Sequence, residues 1–127
     1  MKIELAVNGT LMRGLELNHN LLELGGIFMD EALTAPCYRL WSINDQYPAM
    51  QRCAKGGQIA LEIWGLEPSN IGELLSREPV GLSVGKILLA NYREVLGILG
   101  ESYLCEGKQE ITHFGGWRNY TESSQSS

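Results

Sequence analysis

Proline, phenylalanine and histidine are scarce in this 127-residue chain, at four, two and two residues. No apolar run approaches the roughly 18 residues that a membrane-spanning helix needs, so no membrane role is expected. Positive charge is also short. Ten Lys and Arg face fifteen Asp and Glu, giving a net charge of −5 with no basic stripe, and nucleic-acid backbone binding is not expected. The three cysteines, Cys37, Cys53 and Cys105, cannot all pair, and their spacing matches no zinc motif. A phosphate loop, a dinucleotide fingerprint, a Gly-x-Ser-x-Gly elbow and internal repeats are all missing. Neither a metal nor a cofactor is therefore expected. Met1-Lys2-Ile3-Glu4 puts an acid where a signal peptide would carry its apolar stretch. The expectation is a cytoplasmic protein with reduced thiols.

Glycine is what the chain has in excess, 15 residues or about 12% against an average of about 7%. With 44% hydrophobic and 20% charged residues, the composition is that of one globular domain. Folding at this length removes roughly two-thirds of the unfolded surface from water. Dense glycine punctuates short elements and suits a bent β structure better than a helix bundle.

Charged and apolar residues alternate from Lys2 to Val7, the pattern of a strand. A short helix follows, with Asn18 as its expected cap, Leu17 and Leu22 as a hydrophobic staple, and Gly25 as its end. Ile27 to Ala35 and Cys37 to Ile43 read as strands separated by Pro36, and Asn44 to Ala54 reads as a loop. Gln58 to Leu66 reads as a strand. A second helix is expected from Pro68 to Arg77, stapled by Leu66 and Ile71 and stopped by Pro79. Ser83–Leu89 and Glu94–Leu99 form a hairpin about a turn at Ala90–Tyr92. The sum is an α+β domain over residues 1–120, about six strands curling into a small mixed barrel with two short helices. The Ser-rich residues 121–127 are expected to be a disordered tail.

Glu78 is the most informative side chain. Ile71, Leu74, Leu75 and position 78 follow the i, i+3, i+4, i+7 rule, which puts a carboxylate at the end of a core-facing stripe. Poor solvation there raises its pKa and prepares a general acid/base. The alternative is a glutamate turned to water or paired with Arg77, Arg52 or Lys86. His19 falls in the first turn of the first helix, where its ring either meets a ligand or faces water between Asn18 and Asn20. Asn8-Gly9-Thr10-Leu11 follows a strand, a position where successive N–H groups can form an anion-binding nest. In Gly115-Gly116-Trp117-Arg118 the glycines admit Trp117 to the core, or Arg118 clamps a carboxylate. His113, beside Phe114, reads as structural, and the cysteines read as small buried hydrophobes.

Ala6-Val7-Asn8-Gly9-Thr10-Leu11-Met12-Arg13-Gly14 resembles the Tyr-Gly-Ser/Thr-Leu loop of gamma-glutamyl cyclotransferases, with Asn8 in the tyrosine's place. Ile63-Trp64 through Leu74-Leu75-Ser76-Arg77-Glu78 is similar to the segment of those enzymes that ends in the catalytic glutamate. A closer resemblance, over residues 3–120, is to the C-terminal domain of allophanate hydrolase, itself of the gamma-glutamyl cyclotransferase-like fold. It is carried by Leu17-Asn18-His19-Asn20-Leu21, Ala35-Pro36-Cys37-Tyr38-Arg39-Leu40, Gly81 to Lys86 and, most specifically, Ile111 to Tyr120. The resemblance implies a lyase-type reaction without metal, decarboxylation of the small dianion N-carboxycarbamate, with His19 implicated. Arg118 or Arg39 would clamp the anion and Tyr38 would hydrogen-bond it. Two other readings stay open. One is cyclisation of a gamma-glutamyl amine or dipeptide to 5-oxoproline, with Glu78 moving the proton and Gly9–Leu11 holding the oxyanion. The other is a non-catalytic module docking to a separate amidase; a homodimer is also compatible with a small barrel.

Overall fold

The computed structural model describes residues 1–125 and is mixed α+β. Its strands are β1 (Ile3–Val7), β2 (Ile27–Leu33), β3 (Tyr38–Ile43), β4 (Tyr47–Arg52), β5 (Ala60–Leu66), β6 (Leu82–Leu88), β7 (Glu94–Gly100) and β8 (Gln109–Glu110). Its helices are α1 (Asn18–Glu23), α2 (Pro68–Ser76), α3 (Ser102–Cys105) and α4 (Trp117–Gln125), with a 3₁₀ turn at Thr112–Phe114. Eight strands and four helices among the described residues thus replace the six and two read from the sequence.

The expected barrel does not close. Five strands form one mixed sheet in the order β2-β5-β1-β7-β6, and three form a second in the order β4-β3-β8. β1 is the central strand of the first sheet, antiparallel to β5 and parallel to β7. Leu5, Ala6 and Val7 are accordingly all buried, although alternation alone predicts one wet face. Beyond the ends of edge strands β2 and β6, Thr34 bridges Leu89, flanked by Ala35 N–H donating to the Leu88 carbonyl and Ala90 N–H to the Leu33 carbonyl. The sheet therefore curls until its edges touch at one corner. The second sheet is fastened there by Tyr38, whose hydroxyl accepts from Leu88 N–H at 2.9 Å.

β4 lies inside the stretch read as loop. Asn44 and Asp45 have φ of 55° and 59°, and Gln46 N–H donates to the Ile43 carbonyl at 3.0 Å. That is a tight turn built on two residues tolerant of the left-handed region. Pro48 argues against a central strand, but β4 pairs only with β3, and an edge strand accommodates proline.

Helix punctuation is partly different from expectation. Gly25 ends α1 at φ 76°, while the residue flanking its N-terminus is Leu17, with no side-chain cap. The Asn18 amide instead donates to the Leu11 carbonyl at 2.8 Å. Leu22 is 57% exposed, so no staple forms there. Around α2, Pro68 occupies the first turn, Leu66 is buried, and Ile71 packs on the core, as the pattern required. At the C-terminus, α4 continues to Gln125 through much of the expected disordered tail, because Trp117 and Tyr120 are buried and anchor it. Residues 126 and 127 lie outside the described residues.

A Cβ on Gly56 would lie 2.5 Å from the Tyr38 carbonyl oxygen and 2.6 Å from its nitrogen, whereas one on Gly72, within α2, meets nothing within 4 Å. Gly56→Ala is therefore expected to cost about 2 kcal/mol or more, and Gly72→Ala to add about 0.5–1 kcal/mol by removing unfolded-state freedom. Thermal melts of the two variants check this; equal shifts would contradict the placement of Gly56 against Tyr38.

Candidate functional site

Glu78 sits in the turn just after α2, its N–H still donating to the Leu75 carbonyl at 3.0 Å. The tightened last turn keeps the side chain on the inward stripe. There it lines a small cavity with Val7, Asn8, Gly9, Thr10, Leu11, Tyr47, Pro48, Leu82 and Ile98. Among the described residues the carboxylate has no hydrogen bond and no ion pair. Two of the three cations that sequence reasoning offered it are held elsewhere. Arg77 bonds Asn20, Glu23 and Glu73, while Arg52 bonds the Tyr38 hydroxyl and the Lys86 carbonyl. Burial without compensation pushes the Glu78 pKa up to about 7.

The loop facing Glu78 presents donors. The carbonyls of Gly9, Thr10 and Leu11 accept from Met12 N–H, Leu17 N–H and Asn18 Nδ2 at 3.0, 2.9 and 2.8 Å. The N–H groups of the same three residues donate to nothing among the described residues. Gly9 is required for space, since a Cβ would lie 2.5 Å from Pro48 Cδ. Asn8 is 4% exposed, and its Nδ2 donates to the Ile98 carbonyl at 3.0 Å. It thereby fixes the start of the loop to β7. The cavity measures about 20 Å³, room for a single water. Thr10 and Tyr47 also line an outer cleft of about 360 Å³, with Glu16, Leu17, Asp45, Gln46 and Pro79. Among the described residues, no Lys or Arg lines either space. Asp45 is held ionised, its pKa lowered by hydrogen bonds from Tyr120 and Ser42.

The other candidates lie elsewhere. His19 is exposed on α1 and lines neither space. Tyr38 is fully buried, and its hydroxyl takes Arg52 Nε, Arg52 Nη2 and Leu88 N–H at 3.0, 2.7 and 2.9 Å. It is a core fastener, with no face left for a substrate. Arg39 lines a third, open groove with Lys55, Glu110 and His113, its Nε on the Lys55 carbonyl at 2.9 Å. Arg118 is bound to Glu62 at 3.1 Å and to the Arg13 carbonyl at 2.7 Å. Among the described residues, no group of three or more His, Cys, Asp and Glu could hold a metal.

Sequence reasoning missed Tyr47, hidden in the presumed loop, and Glu62. The Glu62 carboxylate, 2% exposed, accepts from Arg13 N–H, Arg13 Nε, Trp64 Nε1 and Arg118 Nη2 at 2.8, 3.2, 3.1 and 3.1 Å. Burial alone would raise its pKa, but these donors hold it below the ordinary value. The signal was present: one acid inside the otherwise apolar β5 run. Tyr47 is pushed the other way by burial and by nearby Tyr103 and Glu78.

Comparison with known proteins agrees with this architecture. Residues 3–122 match the model of the allophanate hydrolase C-terminal domain, and the chain belongs to that family. It is 27% identical to urea amidolyase of Lachancea kluyveri over 94% of its own length. It spans only about 7% of the length of the curated relatives it matches. Among solved structures, a uropathogenic E. coli-specific protein superposes with a TM-score of 0.95 at 53% identity, covering 96% of this chain and 97% of that one. Kluyveromyces lactis allophanate hydrolase superposes with a TM-score of 0.92 at 26% identity, over 98% of this chain and 22% of that one. An AIG2-like protein from Mus musculus shares the fold, with a TM-score of 0.62 at 16% identity over 81% and 78% of the two chains. No helix among the described residues is long and apolar enough to cross a membrane.

The raised Glu78 pKa is also a statement about stability. The folded state holds this proton more tightly than the unfolded chain, so the contribution is complete below about pH 4.5 and declines as pH rises towards about 7. Relative to Glu78→Gln, the wild-type chain is expected to lose roughly 3 kcal/mol across that window and nothing more above it. Denaturant melts of both proteins from pH 4 to 9 measure the difference, and a pH-independent gap would show that Glu78 titrates normally.

Proposed function

We propose that this domain is a small-molecule enzyme of the cyclotransferase type, with Glu78 as its general acid/base and the N–H groups of Gly9, Thr10 and Leu11 as its oxyanion donors. The observation that carries the reading is the pairing in one cavity of an unpartnered carboxyl, with a pKa of about 7, and a loop whose carbonyls are spent and whose N–H groups are free. A carboxyl with a pKa near the working pH both accepts and returns a proton. Free N–H groups are suited to a carbonyl oxygen that becomes an oxyanion.

The reaction class that uses both is attack of an amine on a carbonyl within one substrate. Glu78 takes the proton from the attacking nitrogen as the new C–N bond forms. The oxyanion rests on the loop N–H groups. When the intermediate collapses, the protonated Glu78 gives its proton to the departing amine. For a gamma-glutamyl amine the products are 5-oxoproline and the free amine, with no other reactant consumed. The cleft outside the cavity suits a substrate that carries an amine, since Glu16 and Asp45 line it and no Lys or Arg does.

Family membership favours a second reading, decarboxylation of N-carboxycarbamate, possible for this chain alone or beside a separate amidase. In that reaction a proton must reach nitrogen as carbon dioxide leaves, and His19 would have to act from the exposed face of α1. The lack of a lining Lys or Arg weighs against a dianion in the Glu78 cavity.

Two assays separate these readings: 5-oxoproline release from gamma-glutamyl amines and dipeptides, and carbon dioxide release from N-carboxycarbamate generated in situ by an amidase. Under the first reading Glu78→Gln lowers kcat/KM by about 10²–10⁴-fold and His19→Ala changes little. The wild-type kcat/KM then rises with pH through about 7, where Glu78 becomes the base. Loss of activity in His19→Ala with full activity in Glu78→Gln would establish the second reading and sink the first.

A further inference from the structure

A groove of about 530 Å³ lies away from Glu78 and shares no lining residue with either space there. It runs between the start of α4 and the end of the β2–β5 pair. Met12, Ala32, Leu33, Leu61, Ala90 and Trp117 supply its apolar walls. Its polar end is made by Glu31, Glu62, Arg118 and Asn119. The volume falls within the roughly 300–1,000 Å³ of small-molecule sites. The Gly115-to-Arg118 motif, which the Glu78 cavity does not use, builds this groove. Gly116 packs closely there: a Cβ would lie 3.1 Å from Ala60 Cβ, so a side chain would require a small shift of the neighbouring strand.

The chemistry of the polar end restricts what fits. Glu62 is satisfied by its four donors and has nothing left to offer. Arg118 uses only Nη2, on Glu62 and the Arg13 carbonyl, so its Nε and Nη1 edges have no partner among the described residues. Glu31 accepts from Arg13 Nη2 through Oε1 at 2.6 Å, and its Oε2 has no partner among the described residues. Two carboxylates and the two guanidinium groups of Arg13 and Arg118 cancel, so an ion of either sign meets no net attraction. A donor edge on Arg118 and an acceptor edge on Glu31 remain, on two residues that line the same trough.

We infer that this groove is a second ligand site, built for an uncharged, amide-bearing small molecule with an apolar substituent. The amide carbonyl accepts from Arg118, the amide N–H donates to Glu31 Oε2, and the substituent lies along Leu33, Leu61 and Trp117. A carboxylate or an ammonium in the same trough meets charges that already cancel, so its ionic form gains no net attraction over the neutral amide.

Three probes of matched shape test this: 3-phenylpropanamide, 3-phenylpropanoate and 3-phenylpropylammonium, titrated into the full chain and followed by amide and indole N–H chemical shifts. The amide is expected to bind in the millimolar range or tighter, shifting Trp117 and the backbone around Arg118, with both ions at least about tenfold weaker. Ala90→Phe, which fills the trough from an exposed position, and Leu33→Glu, which charges its rim, should each weaken the amide at least about tenfold. Glu78→Gln should leave it unchanged, which separates this site from the proposed catalytic one. No saturable shift for the amide up to about 10 mM overturns the inference. Equal or tighter binding of either ion, or amide binding insensitive to both groove variants, does so as well.

Discussion

A single buried carboxylate holds together three segments that are distant in sequence. Glu62, in β5, binds Arg13 in the loop that follows β1 and Arg118 in the first turn of α4. Arg13 then reaches Glu31 on β2 and stacks its guanidinium over Phe28, 3.7 Å from the ring centroid. A carboxylate this deep is tolerated only because every acceptor direction is used, and each donor it employs is thereby fixed in place. The loop that begins with the Gly9–Leu11 donors is consequently tied at Arg13, two residues beyond Leu11, and cannot drift from the cavity it lines.

The chain contrasts two inward-facing glutamates. Glu62 has four donors and a lowered pKa; Glu78 has none among the described residues and a raised one. Identical side chains are driven apart by what surrounds them, one into a permanent anion that organises structure and the other into a group able to exchange a proton near neutrality. The neighbouring cations are arranged to keep it so. Arg77 is adjacent to Glu78 in sequence yet is drawn to Asn20, Glu23 and Glu73. Had Arg77 turned to Glu78, the carboxyl would be an ordinary ion pair.

The residues that carry the family resemblance do not converge on one point. The Asn8–Leu11 loop and Glu78 meet in one cavity, Gly115 to Arg118 shape a separate groove, and Tyr38 fastens the two sheets at the corner where the edges of the large one touch. A motif in this fold therefore marks a place where backbone and side chain are tightly constrained, and the constraint is structural as often as chemical. Tyr38 and Asn8 illustrate the point, since each spends hydrogen bonds on a neighbouring strand.

Local pattern alone determined a good deal of this protein. Alternation placed β1, the proline and staple residues placed α2, the i, i+3, i+4, i+7 spacing turned Glu78 inward, and the strand-to-glycine step located the donor loop. These are near-neighbour effects, decided by dihedral preferences and by which face of an element is apolar. Four things were decided only by tertiary structure: that Pro48 sits harmlessly in an edge strand, that the sheet stops short of a barrel, that Tyr38 is saturated, and that Arg77 and Arg52 face away from Glu78. Each depends on which partner a group finds across the fold, and a hydrogen bond or ion pair between residues dozens of positions apart leaves no periodicity in the chain to reveal it.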